Sequence, residues 1–272
     1  MKLVRYGKPG KEKPGLIDAE GKLRDLSAHI KDVNGEALSP KSLAKLGKLK
    51  TDKLPLVKGK QRLGSCVATP PKFVAIGLNY SDHAKESNMP IPKEPVVFSK
   101  WTSCLSGPND EVMLASKDSV KTDWEIELGI VIGTQARHVS KKDALECVAG
   151  YCVINDVSER EYQLERDPQW DKGKGFDTYG PTGPWMVTKD EVGDVKKLSM
   201  WLDVNGERMQ TGSTKTMIFD PATIVSFLSK IMTLMPGDLI TTGTPPGVGL
   251  GQKPPRYLKA GDVMTLGIEK LG

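Results

Sequence analysis

Trp124-Glu125-Ile126-Glu127-Leu128-Gly129-Ile130-Val131-Ile132 is an apolar, β-branched run interrupted twice by an acid. On a strand, residues two apart share a face, so Glu125 and Glu127 point together while Ile126, Leu128 and Ile130 point the other way. Two adjacent carboxylates repel unless a cation, a water or a shared proton lies between them. Hard oxygen donors of this kind suit Mg2+, Mn2+ or Ca2+. The plainer alternative is a strand with one solvated face. Gly129 continues the acidic face without a side chain, and the space it leaves is expected to admit a ligand beside the carboxylates.

Outward from this run, strand patterns recur at 73–77, 96–100, 126–133, 151–155, 201–204, 239–242 and 263–268, each β-branched or alternating. Asn205-Gly206 between two such pieces is a type I′ hairpin signal. One helix is marked clearly, with Asp220 as N-cap, Pro221 in the first turn, Val225, Leu228, Ile231 and Met232 on one face, and Pro236-Gly237 as the stop. Many strands with few helices between them predict an α+β fold, a mixed or antiparallel sheet curled into a barrel-like roll. Residues 1–68 alternate short strands, turns and a helix near 41–46, and are expected to form a small N-terminal domain and connector. The main, catalytic domain is then 69–272.

Of the 272 residues, 38% are hydrophobic and 27% charged, the balance of a folded globular chain. No apolar run approaches the roughly 20 residues of a membrane span, and the N-terminus lacks a signal-peptide core, so a cytoplasmic protein without membrane contact is expected. Cys66, Cys104, Cys147 and Cys152 have neither C-x-x-C nor zinc spacing and are read as reduced thiols. Much of the net charge of +5 comes from lysines between Lys41 and Arg62. With few aromatics there to stack bases, that stretch reads as a solvated face rather than a nucleic-acid site.

Three further places could carry chemistry. Asp156 ends the apolar run before it, where a turn or cap Asp is also common. His83 and Glu86 are three apart in a segment that reads as a short helix, a spacing that lets the carboxylate orient the imidazole, although a solvated ion pair is the blander reading. Lys174 lies in 172–185, a long Gly- and Pro-rich loop, and loops of that length in compact domains are usually functional.

Taken in order, Gly77 to Glu86 (G-x-N-Y-x-x-H-x-x-E), Glu125 to Leu128 (E-x-E-L), Asn155 to Gln163 (N-D-x-S-x-R-x-x-Q), Lys174 to Pro184 (K-x-x-D-x-x-x-P-x-G-P) and Thr242 to Gly249 (T-G-T-P-x-G-V-G) resemble the fumarylacetoacetate hydrolase family. The resemblance implies a β-roll dimer in which Glu125, Glu127 and Asp156 hold a divalent cation, with Mg2+ first and Mn2+ or Ca2+ as alternatives. It implies that His83 and Glu86 activate water, that Lys174 stands beside the substrate oxygens, and that Tyr80, Arg160, Gln163 and Thr244 contact substrate. The activity implied is hydrolysis of a C–C bond in a small 2,4-diketo acid. The opening residues and 71–77 are similar to the shorter bacterial branch that acts on 2,4-diketo-3-deoxy sugar acids, whose relatives are often labelled ureidoglycolate lyase. Oxaloacetate-type decarboxylation and hydration or isomerisation of 2-oxo dienoates use the same metal and enolate and remain open.

Overall fold

The computed structural model describes residues 1–82, 90–115, 120–167 and 169–272. Three short strands, β1 (Lys2–Tyr6), β2 (Lys13–Ile17) and β3 (Leu23–Asp25), form an antiparallel meander, followed by helix α1 (Pro40–Leu46), whose first turn Ser39 caps through Ser42 N. Then come β4 (Phe73–Gly77), β5 (Val96–Ser99), β6 (Leu105–Ser106), β7 (Thr122–Asp123), β8 (Ile126–Ile132), β9 (Val148–Asn155) and β10 (Ser158–Glu159). The remainder is α2 (Trp170–Lys174), β11 (Gly180–Thr188), α3 (Lys189–Val192), β12 (Ser199–Val204), β13 (Glu207–Ser213), α4 (Pro221–Ile231), β14 (Leu239–Thr241) and β15 (Met264–Ile268).

One mixed sheet dominates, in the order β3-β2-β1-β11-β9-β8-β14-β4-β5, with β6 beside β11. Pairings β14 to β4 and β11 to β6 are parallel and the rest antiparallel, as a mixed-sheet α+β fold requires. A second sheet, β13-β12-β15, contains the expected hairpin, with Asn205 and Gly206 at φ 53° and 77° as a type I′ turn demands. No helix among the described residues is long and apolar enough to cross a membrane.

Strand β8 lies in the middle of the large sheet, and all seven of its residues are buried. Ile126, Leu128 and Ile130 enter a core shared with Leu202 of β12 and Ile224 and Leu228 of α4. On the opposite face Val131 joins Cys152, Ile154 and Leu239 in a second core that also holds Leu3 and Leu16. Neither face is solvated. A buried aliphatic side chain contributes roughly 1.5–3 kcal/mol, so two cores on one strand hold its backbone firmly where the acids project.

Three expectations change, and the sheet pairing across the boundary near Thr69 is a further finding. The gap at Gly129 is already filled: a Cβ there would come within 2.6 Å of Ile154 Cδ1 and 2.8 Å of Cys152 Sγ. Ile231 is 57% exposed, and the buried stripe of α4 runs through Ile224, Val225 and Leu228, because the helix ends at Ile231 and leaves that last side chain beyond the core. The segment 172–185 is no loop along its length. Its second half opens β11, whose register against β9 shifts between Gly183 and Val187, so that Pro184 falls where no regular ladder N–H is needed. The composition break near Thr69 is not a break in hydrogen bonding, since β1 pairs with β11 (Leu3 opposite Met186) and residues 1–68 extend the same sheet.

Candidate active site

Glu125 immediately precedes β8, Glu127 is its second residue, and Asp156 follows the last residue of β9. The ladder continues past the strand ends, with Asp156 N donating to Glu125 O at 2.8 Å. The sheet itself therefore brings the third acid onto the face of the first two. One carboxylate oxygen from each of Glu125, Glu127 and Asp156 lies within 4.8 Å of the others.

Three buried cations surround this triad. Lys174, the last residue of α2, places Nζ 2.8 Å from Glu125 Oε2 and 2.7 Å from Asp156 Oδ2. Arg160 Nη2 lies 2.7 Å from Glu125 Oε1 and 2.7 Å from Asp123 Oδ2, while its Nη1 donates to Gln163 Oε1 at 2.9 Å. Lys100, just after β5, lies with Nζ 2.7 Å from Asp156 Oδ1 and donates to Lys174 O at 2.6 Å. Burial alone would raise the Glu125 carboxyl, but Lys174 and Arg160 outweigh it and lower it to about 2. Burial would lower the Lys174 ammonium, yet Asp156 and Glu125 raise it above its usual value, so it stays charged.

Glu127 differs. Its Oε2 accepts from Gly243 N at 2.8 Å, and no ion pair reaches it among the described residues. Burial, then the neighbouring Asp156 and Glu125, push its carboxyl well above the ordinary range. Asp156 Oδ1, although 2.7 Å from Lys100 Nζ, receives no well-directed hydrogen bond. A buried carboxyl short of positive charge, an orphaned carboxylate oxygen and an all-oxygen donor set together fit a hard divalent cation.

The loop after β14 closes over the acids. Gly243, at φ 89°, has no room for a Cβ, which would lie 2.8 Å from Asn79 Cβ. Thr244 Oγ1 donates to Ile126 O and accepts from Gln210 Nε2, so the expected substrate contact is also a clasp between the loop and β8. Asp123 binds the rest of the loop, accepting from Gly249 N at 2.6 Å and Leu250 N at 3.0 Å. Arg160 caps a single π-helical turn, Glu161–Glu165, and Gln163 lies within it, a geometry frequent at functional sites.

These elements enclose a cavity of about 450 Å3 whose wall includes Glu125, Glu127, Arg160, Gln163, Lys174 and Thr244. Tyr80 is not part of that wall. It is fully buried, with its hydroxyl on Met200 Sδ at 3.2 Å, because the neighbouring Asn79 bonds to Phe219 and Thr242 and turns the segment into the core. His83 and Glu86 lie outside the described residues. Sequence reasoning missed Lys100, Asp123 and Gln210. Each was a polar residue next to a large apolar one, Lys100 before Trp101, Asp123 before Trp124 and Gln210 after Met209, and that was its only signal.

Residues 72–272 match the family model described as fumarylacetoacetate (FAA) hydrolase C-terminal. A Burkholderia multivorans protein, named a hydrolase by inference only, is 61% identical over 273 residues, covering 100% of this chain and 96% of its own. The structure of a fumarylacetoacetate hydrolase from the psychrophile Exiguobacterium antarcticum is 36% identical with a TM-score of 0.86, over 100% of this chain and 96% of that one. Maleylpyruvate hydrolase from Sphingobium sp. SYK-6, solved in complex with manganese(II) and pyruvate, is 28% identical with a TM-score of 0.83, at 100% and 96% coverage. The 2-hydroxyhepta-2,4-diene-1,7-dioate isomerase of Mycobacterium marinum is 31% identical with a TM-score of 0.75, at 100% and 95% coverage.

Proposed function

Because the chain belongs to the fumarylacetoacetate hydrolase family, we propose that it hydrolyses a C–C bond in an acylpyruvate, a 2,4-diketo acid, releasing pyruvate and a carboxylic acid. The observation that supports this most is the buried triad Glu125, Glu127 and Asp156, of which Glu125 and Glu127 line a cavity whose wall also carries Lys174 and Arg160. The triad would hold a divalent cation, Mg2+ first, whose chemistry when bound is to polarise the 2-oxo acid and stabilise an enolate.

The chain's own groups divide the remaining work. Lys174 and Arg160, both buried, present fixed positive charge to the oxygens on which negative charge develops. Gln163 holds Arg160 in plane. His83, oriented by Glu86, would take a proton from water as its oxygen attacks the distal carbonyl. The bond between that carbonyl carbon and the carbon next to it then breaks, its electron pair passes into the pyruvate enolate, and protonation of that carbon completes pyruvate. The attacked acyl group leaves as the carboxylic acid.

The test is pyruvate release from a panel of 2,4-diketo acids, including 2,4-diketo-3-deoxy sugar acids, with Mg2+, with Mn2+ and with chelator, and with His83→Ala as control. Metal-dependent release that the substitution abolishes supports hydrolysis. Release from oxaloacetate alone, with carbon dioxide, replaces it with decarboxylation, and isomerisation of a 2-oxo dienoate without pyruvate replaces it with the isomerase reading. A cytoplasmic homodimer belongs to the same proposal and is checked by light scattering.

A further inference from the structure

Asp123 ends β7 and is fully buried. Its Oδ1 accepts from Gly249 N at 2.6 Å and Trp124 N at 2.8 Å, and its Oδ2 from Leu250 N at 3.0 Å and Arg160 Nε at 2.8 Å. Two segments far apart in the chain therefore meet on one carboxylate. Arg160 reaches it because β7 pairs with β10, Ser158 opposite Asp123, and the ladder runs on with Arg160 N donating to Lys121 O at 3.0 Å. The second segment reaches it because Gly249 has no side chain to hold it away: a Cβ there would lie 2.8 Å from Asp123 Oδ1 and 1.9 Å from Arg256 O. Trp124, next in the chain, fastens the same segment, its Nε1 donating to Gly247 O at 3.1 Å.

Arg160 has an acceptor for each guanidinium nitrogen, Asp123 for Nε, Glu125 for Nη2 and Gln163 for Nη1. The three are not equivalent. Glu125 belongs to the triad that would share a cation, and Gln163 is neutral. Among the described residues, Asp123 is the one charged partner of Arg160 outside the triad. It also holds the segment through which Val248 and Leu250 line the cavity together with Arg160. Asp123 does not line the cavity itself.

From this arrangement we propose that Asp123 is a positioning residue for the reaction, one that acts through Arg160. It holds the guanidinium and the 248–250 wall at one spacing, and does so whether Glu125 is engaged with Arg160 or with a cation. An amide at this position cannot reproduce that. All four neighbours are N–H donors, so the amino group of an asparagine would face a donor whichever way it turned. A guanidinium displaced by about 1 Å loses its aim at the developing charge, which costs on the order of 100-fold in rate.

The first experiment follows the Arg160 Nε–H by nitrogen-15 NMR of the whole protein, assigned by its absence from Arg160→Lys. In the metal-free wild type this proton should be protected from exchange with water, and saturating Mg2+ should leave it protected. Rapid exchange once Mg2+ is added, or protection that persists in Asp123→Asn, overturns the proposal. The second experiment is a double-mutant cycle on pyruvate release from an acylpyruvate. Asp123→Asn and Arg160→Gln should each lower kcat about 100-fold, and the double variant should be no slower than Arg160→Gln alone. Losses that multiply toward about 10,000-fold, as two independent roles require, overturn it. This second arm rests on the acylpyruvate reading. A wild type that releases no pyruvate ends that reading, while the NMR arm still decides the role of Asp123. Should Asp123→Asn fail to fold, the wild-type spectra with and without Mg2+ decide alone.

Discussion

Glu127 and Glu125 are two residues apart on one strand face, yet their surroundings drive their carboxyls in opposite directions. Glu125 falls from 4.5 to about 2 because two cations outweigh its burial, so it adds stability that is complete above pH 4.5 and is lost as pH falls toward 2. Glu127 is raised, chiefly by burial, so the folded metal-free protein favours its protonated form and loses stability as pH climbs above 4.5. Glu127→Gln should therefore flatten the decline of metal-free stability between pH 5 and 8, measured by urea unfolding in chelator, and should also abolish the rise in melting temperature that Mg2+ gives the wild type. A saturating metal at 100 times its dissociation constant adds about 2.7 kcal/mol. Parallel pH profiles for the two proteins would count against this account of Glu127. Lys100→Met leaves a buried Asp156 oxygen without its cation and should cost about 3 kcal/mol in urea unfolding, with weakened metal affinity beside it.

At the scale of elements, α2 and the 161–165 turn must approach closely for Lys174 and Arg160 to reach the same carboxylate. Gly173 is the point of approach, since a Cβ there would lie 2.5 Å from Glu159 O and 2.5 Å from Gln163 Cβ. Glycine to alanine within a helix ordinarily gains about 1 kcal/mol. Here the sign should reverse: Gly173→Ala is expected to lose about 1–3 kcal/mol as backbone is forced apart, and to lower kcat more than it raises KM. A stabilised, fully active variant would refute the close-packing argument. Elements differ in how well their residues announce them. Asp220-Pro221 and Asn205-Gly206 act through local geometry and were legible before any tertiary contact. The strand β11 was not, because Gly180, Pro181, Gly183 and Pro184 disfavour a strand locally and only its neighbours β1 and β9 hold it extended.

For the whole molecule, the shared sheet means that the first 68 residues stabilise the rest. A chain beginning at Thr69 would expose one edge of β11 and uncover Phe73, Val131 and Cys152, which pack in the same core as Leu3 and Leu16. It is expected to be insoluble or to lack a cooperative transition, whereas the intact chain should unfold with coincident near- and far-ultraviolet circular dichroism curves. A separately folding 69–272 fragment would show that the composition break is a domain boundary after all. The sequence by itself determined the α+β class and the pairing of Glu125 with Glu127, because strand periodicity expresses local chemistry, while Asp156, Lys174, Arg160 and Gln163 were singled out only by the order of the motifs that resemble the family. Only the tertiary structure decided that Lys100 and Asp123 belong to the site, that Tyr80 belongs to the core and that Gly129 leaves no room for a ligand. Those outcomes depend on which distant strands become neighbours, and a residue's own neighbourhood in the chain carries no record of the charge or side chain it will meet across the sheet.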